Sequence, residues 1–360
     1  MKKAADYIAV SAFFVIVIMF AAYTLVMGRH GSESEKADSS DIRHNAQTYV
    51  SNNFPLSSNW KSLRTTMFVM TGKKNFDNIY ILKNRLVEIT DFDKDRLDKN
   101  ISQINDFSEN TDTPVYVMLA PTAAGIYSAK LPAYTSNTDQ RELIDNIYYD
   151  LDSRIDTIDT FFPMYSARNN YVYYRTDRKW TSFGAYFAYA DGIKELGFEP
   201  VVLSNYDQEY TSNSYYGGLY SELCYNSIGA DRVNIFRSKY KTTVYRGDQV
   251  LTSKSVYFRS ALKTADKTAI FLQGDNFTKA TVKTTAEDAP KLLIIKGSYA
   301  NTLVPFLTPH YSEITLVDPD KLKEEGKTLS DVADTSAYDQ ILFMYDCDQF
   351  ADETNFDLLK

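Results

Sequence analysis

The chain has 360 residues, 44% of them hydrophobic and 24% charged, with a formal net charge of -8 and a pI near 5.1. That length suffices for one large domain or two smaller ones, and the acidity argues against a basic groove for nucleic acid. The three His, His30, His44 and His310, are too few for a His-rich metal site. The 28 Tyr fit either sugar rings in a wet cleft or ordinary packing of strands and core.

Ile8 to Met27, "IAVSAFFVIVIMFAAYTLVM", is uncharged and preceded by Lys2 and Lys3. At about 1.5 Å per residue it spans a bilayer core of about 30 Å. A cleavable signal needs a shorter apolar core and a small-x-small site, so an uncleaved single-pass anchor over 1–27 is expected. Arg29 and Lys36 nearly balance the cations before the span. The short tail and large following domain favour a cell-membrane protein with that domain facing outside. Residues 28–44, polar, Ser-rich and mixed in charge, are expected to form a tether. The domain is expected over 45–360.

Within it, "PVYVMLAP" (114–121) is a continuous β-prone run ended by proline, and "RELIDNIYYDLDSRI" is an amphipathic helix. "YYRTDRKWTSFGAYFAY" (173–189) reads as a strand end, a charged loop and a helix start. The Tyr- and Gly-rich stretch from about Leu203 to Ala265 reads as a loop excursion. "KLLIIKG" (291–297), "SEITLVDP" and "QILFMYD" complete a set of apolar strands alternating with helices. That pattern indicates a three-layer α/β/α domain with a mainly parallel sheet covered on both faces. Ligands of such sheets sit on loops at the carboxyl ends of strands, where Asp177 and Ser298 fall. Ser298 there either meets free helix N–H groups able to stabilise an oxyanion or simply caps the helix. A Ser nucleophile needs a base, and none of the three His has an obvious place for that task; His310 reads as a packing or capping residue. Cys224 and Cys347 either pair or stay as buried thiols.

"TDRKWTSFGAYFAYADGI" resembles the "TDHHWT-x-x-GAY-x-AY" block of the DHHW protein family. "KLLIIKGSYANTLVPFLTPHYSEITLVDP" resembles that family's "LLIIKDSYAN-x-x-x-PFL-x-x-HY-x-EI-x-x-ID" block. "PVYVMLAPT" with "KLP" (130–132), and "YGGLY", fit the same pattern in the same order. The family is similar to the SGNH-hydrolase-like proteins of alginate O-acetylation. The resemblance therefore implies an SGNH-like fold and a role in O-acetylation of a cell-surface polysaccharide, beside a membrane-bound O-acyltransferase. By it, the triad acid maps to Asp177, the catalytic His to Lys179 and the nucleophile to Ser298. Arg178, Trp180, Asp275 and Asn276 become candidate ligand-binding residues, the last two near an oxyanion block. No cofactor or metal is expected.

The departures gather at that site. "DHHW" is "DRKW" here, Gly297 replaces the Asp before the Ser, and Asp320 stands in place of the usual Arg after "DP". The family's acidic residue and Arg in its "D-x-FP-x-R" block are replaced in "NNFPLSSNW". Trp180, Gly184, Tyr299 and Pro305 remain. These changes imply a catalytically impaired protein that binds glycan or a partner. Arg178 and Lys179 would then favour anionic ligands. The alternative is an active O-acetyltransferase or acetyl esterase using Ser298 with a neutral Lys179 as base. A carboxylate facing Lys179, such as Asp177, would keep it charged.

Overall fold

The computed structural model describes residues 56–247 and 250–359, together with Val15, Ile18, Met19 and Ala22. The expected tether, and the anchor apart from those four positions, lie outside the described residues. Among the described residues no helix is long and apolar enough to cross a membrane. The chain divides into two compact units, one running to Lys73 and including Leu223–Asn226, the other comprising Lys74–Glu222 and Ser227–Lys360. The first contains helix α1 (Ser57–Met70), where Thr65 donates to the Leu223 carbonyl at 2.8 Å.

The second unit opens with a small antiparallel sheet of β1 (Asn75–Phe76), β2 (Ile79–Ile81) and β3 (Leu86–Glu88). Helix α2 (Lys94–Glu109) follows, capped by the Asp93 carboxylate, which accepts from the Asp95 and Arg96 amides. Then come β4 (Val115–Ala120), α3 (Gln140–Asp150), β5 (Ile155–Asp159) and α4 (Ser182–Glu195). β6 (Asp207–Tyr215) and β7 (Asp231–Arg237) pair as an antiparallel ribbon. β8 (Thr242–Arg246), β9 (Val250–Ser253), β10 (Lys279–Thr284), β11 (Lys291–Lys296), α5 (Ala300–Leu307), β12 (Glu313–Val317), α6 (Pro319–Glu325), β13 (Gln340–Asp346) and α7 (Cys347–Asp352) complete it.

The main sheet has eight strands in the order β5-β4-β13-β11-β12-β10-β8-β9. From β5 to β12 every junction is parallel; from β12 to β9 every junction is antiparallel. The sheet is therefore mixed, with four parallel junctions and three antiparallel ones. The region expected to be a loop excursion supplies β8 and β9 to it and the β6–β7 ribbon beside it. Burial on both faces explains the continuous apolar runs. In β11, Leu292 and Ile294 enter one core cluster while Leu293 and Ile295 enter the other, and β13 divides in the same way. Helices α2 and α3 give Leu97, Ile101, Ile104, Leu143 and Ile147 to one side. Helices α4 and α5 give Ala185, Tyr189, Leu303 and Phe306 to the other.

This topology assembles the site. β11, β12 and β13 are parallel, so Ser298, Asp318 and Asp346 emerge at one sheet edge. β10 runs opposite to β12, with Lys279 paired to Val317, so the segment before β10 brings Asp275 to the same edge.

Candidate functional site

The "TDRKW" loop is pinched between Tyr173 and Trp180, which form an isolated antiparallel bridge. Gly184, one turn into α4, lies against it; a Cβ there would meet the Val172 carbonyl oxygen at 2.2 Å. Asp177 is buried, and protein groups engage both its oxygens. Oδ1 accepts from the Lys179 amide at 3.0 Å, and Oδ2 accepts from the Tyr215 hydroxyl at 2.7 Å and the Gly218 amide at 2.8 Å. Gly217 admits this approach, since a Cβ there would lie 2.1 Å from the Asp177 carboxylate.

Lys179 does not face Asp177. Its ammonium donates to Asp275 Oδ2 at 2.9 Å. Asp275 Oδ1 accepts from Lys296 at 2.9 Å and from the Asn301 amide at 2.7 Å, and Lys296 also reaches Asp318 at 3.1 Å. Burial alone would lower the Lys179 pKa, but the Asp275 charge and hydrogen bond outweigh it and the value rises. Burial pushes Asp275 upward, yet the Lys296 and Lys179 charges hold it down to about 2. Lys179 is therefore a charged member of an ion chain at neutral pH.

Arg178 pairs with Glu88 and, at 2.8 Å, with Glu222. Trp180 is fully buried, and its indole donates to the Tyr299 carbonyl at 3.1 Å. Its ring packs 4.9 Å, centroid to centroid, from that of Tyr299. Asn276 is exposed beside Asp275. His310 is buried beside the Tyr189 and Phe198 rings, and its Nε2 lies 2.7 Å from the Tyr189 hydroxyl. Burial depresses its pKa to about 4.

Ser298 follows β11, but the residue capping α5 is Tyr299, without a side-chain bond, so the capping role considered for Ser298 is not used. Its amide, the natural oxyanion donor, already donates to Gln349 Oε1 at 2.8 Å. Gln349 and Tyr345 fill the space where a side chain at 297 would go, each 2.8 Å from a Cβ built there. Gly297 and Gln349 thus belong to one packing solution. Asp320 accepts from Asn355 at 2.6 Å.

Ser298 sits between two clefts. One, of about 370 Å³, is lined by Glu88, Asp177, Arg178, Ser298, Asp346 and Asp348 among others. The other, of about 400 Å³, includes Asp275, Lys296, Asp318 and Asp320. Asp177 and Ser298 thus share a wall, while Lys179 is in neither lining. The first cleft is rich in carboxylates, and its one cation is already paired with Glu88 and Glu222. Arg178 and Lys179 are thus both ion-paired with carboxylates in this structure. Burial raises Asp346 to about 6, opposed by hydrogen bonds that include the Ser298 side chain, and burial with the Asp346 charge raises Asp348 to about 7.

Sequence reasoning missed Tyr215, Gln349, Asp346 and Asp348. "QILFMYDCDQF" carries three of these at the end of a readable strand, so its position was the available signal. Cys224 and Cys347 are both buried, and no disulfide joins them.

The described residues form a layered, mixed α/β scaffold around one large sheet, with Ser298 and Asp177 lining one cleft. The chain belongs to the DHHW protein family, whose profile matches residues 58–317. A DHHW family protein from Eubacterium siraeum DSM 15702 is 22% identical, over 78% of this chain and 93% of that one, with a TM-score of 0.62. Bacillus cereus PatB1 with a sulfonyl adduct is 15% identical, over 78% and 100%, with a TM-score of 0.62. The O-acetyltransferase domain of Pseudomonas putida AlgJ is 12% identical, over 79% and 95%, with a TM-score of 0.51. At these identities the likeness is one of fold. No curated protein matches the chain.

Proposed function

We propose that the chain is a membrane-anchored, extracytoplasmic SGNH-like protein of cell-surface polysaccharide O-acetylation. In this reading it has lost its catalytic triad and binds glycan or a membrane-bound O-acyltransferase. Residues 8–27 anchor it, with the domain outside. Family membership and the fold shared with the AlgJ O-acetyltransferase domain support the process.

The observation that carries the impaired state is the Lys179–Asp275 ion pair. A lysine base must be neutral, and this one is held protonated. The Gln349 bond to the Ser298 amide also removes an oxyanion donor. Loss of the triad base costs roughly 10⁶ in kcat in one well-studied hydrolase.

The test is p-nitrophenyl acetate turnover by the full-length chain at pH 7, beside Ser298→Ala and Lys179→His. The expected wild-type rate equals that of Ser298→Ala. A wild-type rate about tenfold or more above it, a difference of about 1.4 kcal/mol in barrier, refutes the impaired state. A second reading, an active O-acetyltransferase or esterase, is favoured by one observation, that Asp346 lines the same cleft as Ser298. It predicts turnover that rises through about pH 6 and disappears in Asp346→Asn.

A further inference from the structure

Helix α1 is amphipathic in the reverse sense from a helix that packs on a core. Its buried side chains are polar: Thr65 donates to the Leu223 carbonyl at 2.8 Å, and Ser62 accepts from Asn226 at 2.9 Å. The opposite side carries Leu56 at the helix start, then Trp60, Leu63, Met67 and Met70, each between 51% and 83% exposed. Spacings of four, three, four and three residues align these five along one stripe. A lone exposed apolar residue is ordinary, but a continuous stripe marks a surface that something covers.

Charge and length point to what covers it. From Asn45 to Lys74 the chain has no Asp or Glu, although the whole chain carries a net -8. Lys61 and Arg64 lie in α1, and Lys73 and Lys74 follow it. Cations without acids, beside a face of Trp, Leu and Met, are the composition of a helix that lies in the interface of an anionic bilayer. Trp is at home at headgroup level, where its ring is apolar and its N–H is wet. The same spacing could also seat a second copy of α1 as a coiled coil. The helix has 14 residues, however, and that pairing needs about three to four heptads. Arg64 borders the stripe and would find no acid on the α1 of a second copy. Residues 28–55 would average about 30 Å end to end as a random coil, so α1 is within reach of a bilayer left at Met27.

We infer that the Leu56–Met70 face of α1 docks on the surface of an anionic bilayer. Trp60, Leu63 and Met67 enter the boundary of the acyl chains, and Lys61 and Arg64 meet the lipid phosphates. The nearness to a bilayer rests on the anchor reading above; the make-up of the face does not.

Trp60 reports on this docking, because the other of the two Trp, Trp180, is fully buried. The full-length chain would be reconstituted in vesicles whose lipids carry brominated acyl chains. One set is phosphatidylcholine alone, the other phosphatidylcholine and phosphatidylglycerol in equal parts. Trp60 emission, taken as the difference from Trp60→Phe, should be blue-shifted and quenched in the mixed vesicles. It should be quenched much less in phosphatidylcholine alone or in concentrated sodium chloride. Lys61→Gln and Arg64→Gln should each lower the ratio of docked to free helix about fivefold. Leu63→Asp should lower it about tenfold or more. The wild-type comparison decides the matter whether or not a variant folds. Emission unquenched in both vesicles overturns the proposal, and disulfide trapping of Met67→Cys between two chains would then name a second copy as the occupant. Equal quenching in both vesicles, unmoved by salt, overturns it too, since the cations would play no part. Carbonate washing reads the anchor separately: a chain that washes off, yet shows Trp60 quenched in the mixed vesicles beforehand, loses the anchor and keeps this surface.

Discussion

The two clefts beside Ser298 bury carboxylates with opposite results. On one side Asp275 lies between Lys179 and Lys296, and two ammonium groups hold it ionised at about 2 despite burial. On the other, Asp346 and Asp348 make no ion pair among the described residues, and burial lifts them to about 6 and about 7. Burial is common to both; at Asp275 two ammonium partners outweigh it, while at Asp318, which shares only Lys296, burial still raises the pKa. The charge-matched side has used its cations to balance itself, and the Asp275 partner raises the Lys179 pKa. The unmatched side keeps carboxyl groups that titrate near neutrality next to Ser298.

The strongest way to break this contrast is to unbalance the matched side. Lys296 is almost wholly buried between Asp275 and Asp318. Lys296→Met should leave two carboxylates without their shared cation and cost about 3–5 kcal/mol of stability in urea unfolding.

The unmatched side is probed by pH. Asp346, Asp348 and Glu353, the last raised to about 7, all have folded pKa values above their unfolded ones, with burial the leading cause. The folded state binds their protons more tightly, so their contribution to stability is present below about pH 4 and is lost as pH rises to about 7. Melting temperature should fall across that interval, and Asp348→Asn should flatten the fall. Asp275 has the opposite sign, and its contribution is lost only as pH drops toward 2.

The smallest effect is expected at Gln349. Gln349→Ala removes one hydrogen bond from the Ser298 amide and should cost about 1 kcal/mol in the same unfolding assay.

Much of the parallel half was legible because its strands are buried on both faces. "VYVMLA", "KLLIIK" and "QILFMYD" leave little doubt of strand and layer, and loops after such strands drew attention to Ser298. The antiparallel half was not. "TTVYR" and "KATVKT" alternate Thr, Lys and Tyr around a few buried residues such as Val244, Ala280 and Val282. Their direction is fixed by register with β12, which no local pattern encodes. Asp177 was considered for Lys179 because it is two residues away, but the loop turns its carboxylate to Tyr215 and the Gly218 amide. The partner found, Asp275, is 96 residues distant, and Gln349 is 51 residues from Ser298. Charge type was readable; pairing across the sheet edge was a product of tertiary packing.

The central claim is that Ser298 is not an activated nucleophile, and covalent labelling tests it most directly. The full-length chain would be incubated with a sulfonyl fluoride at pH 7, and Ser298 examined by peptide mass spectrometry beside Ser298→Ala. The account predicts no adduct on Ser298, because Lys179 is held charged by Asp275 and the Ser298 amide is held by Gln349. A stoichiometric adduct on Ser298 would contradict it.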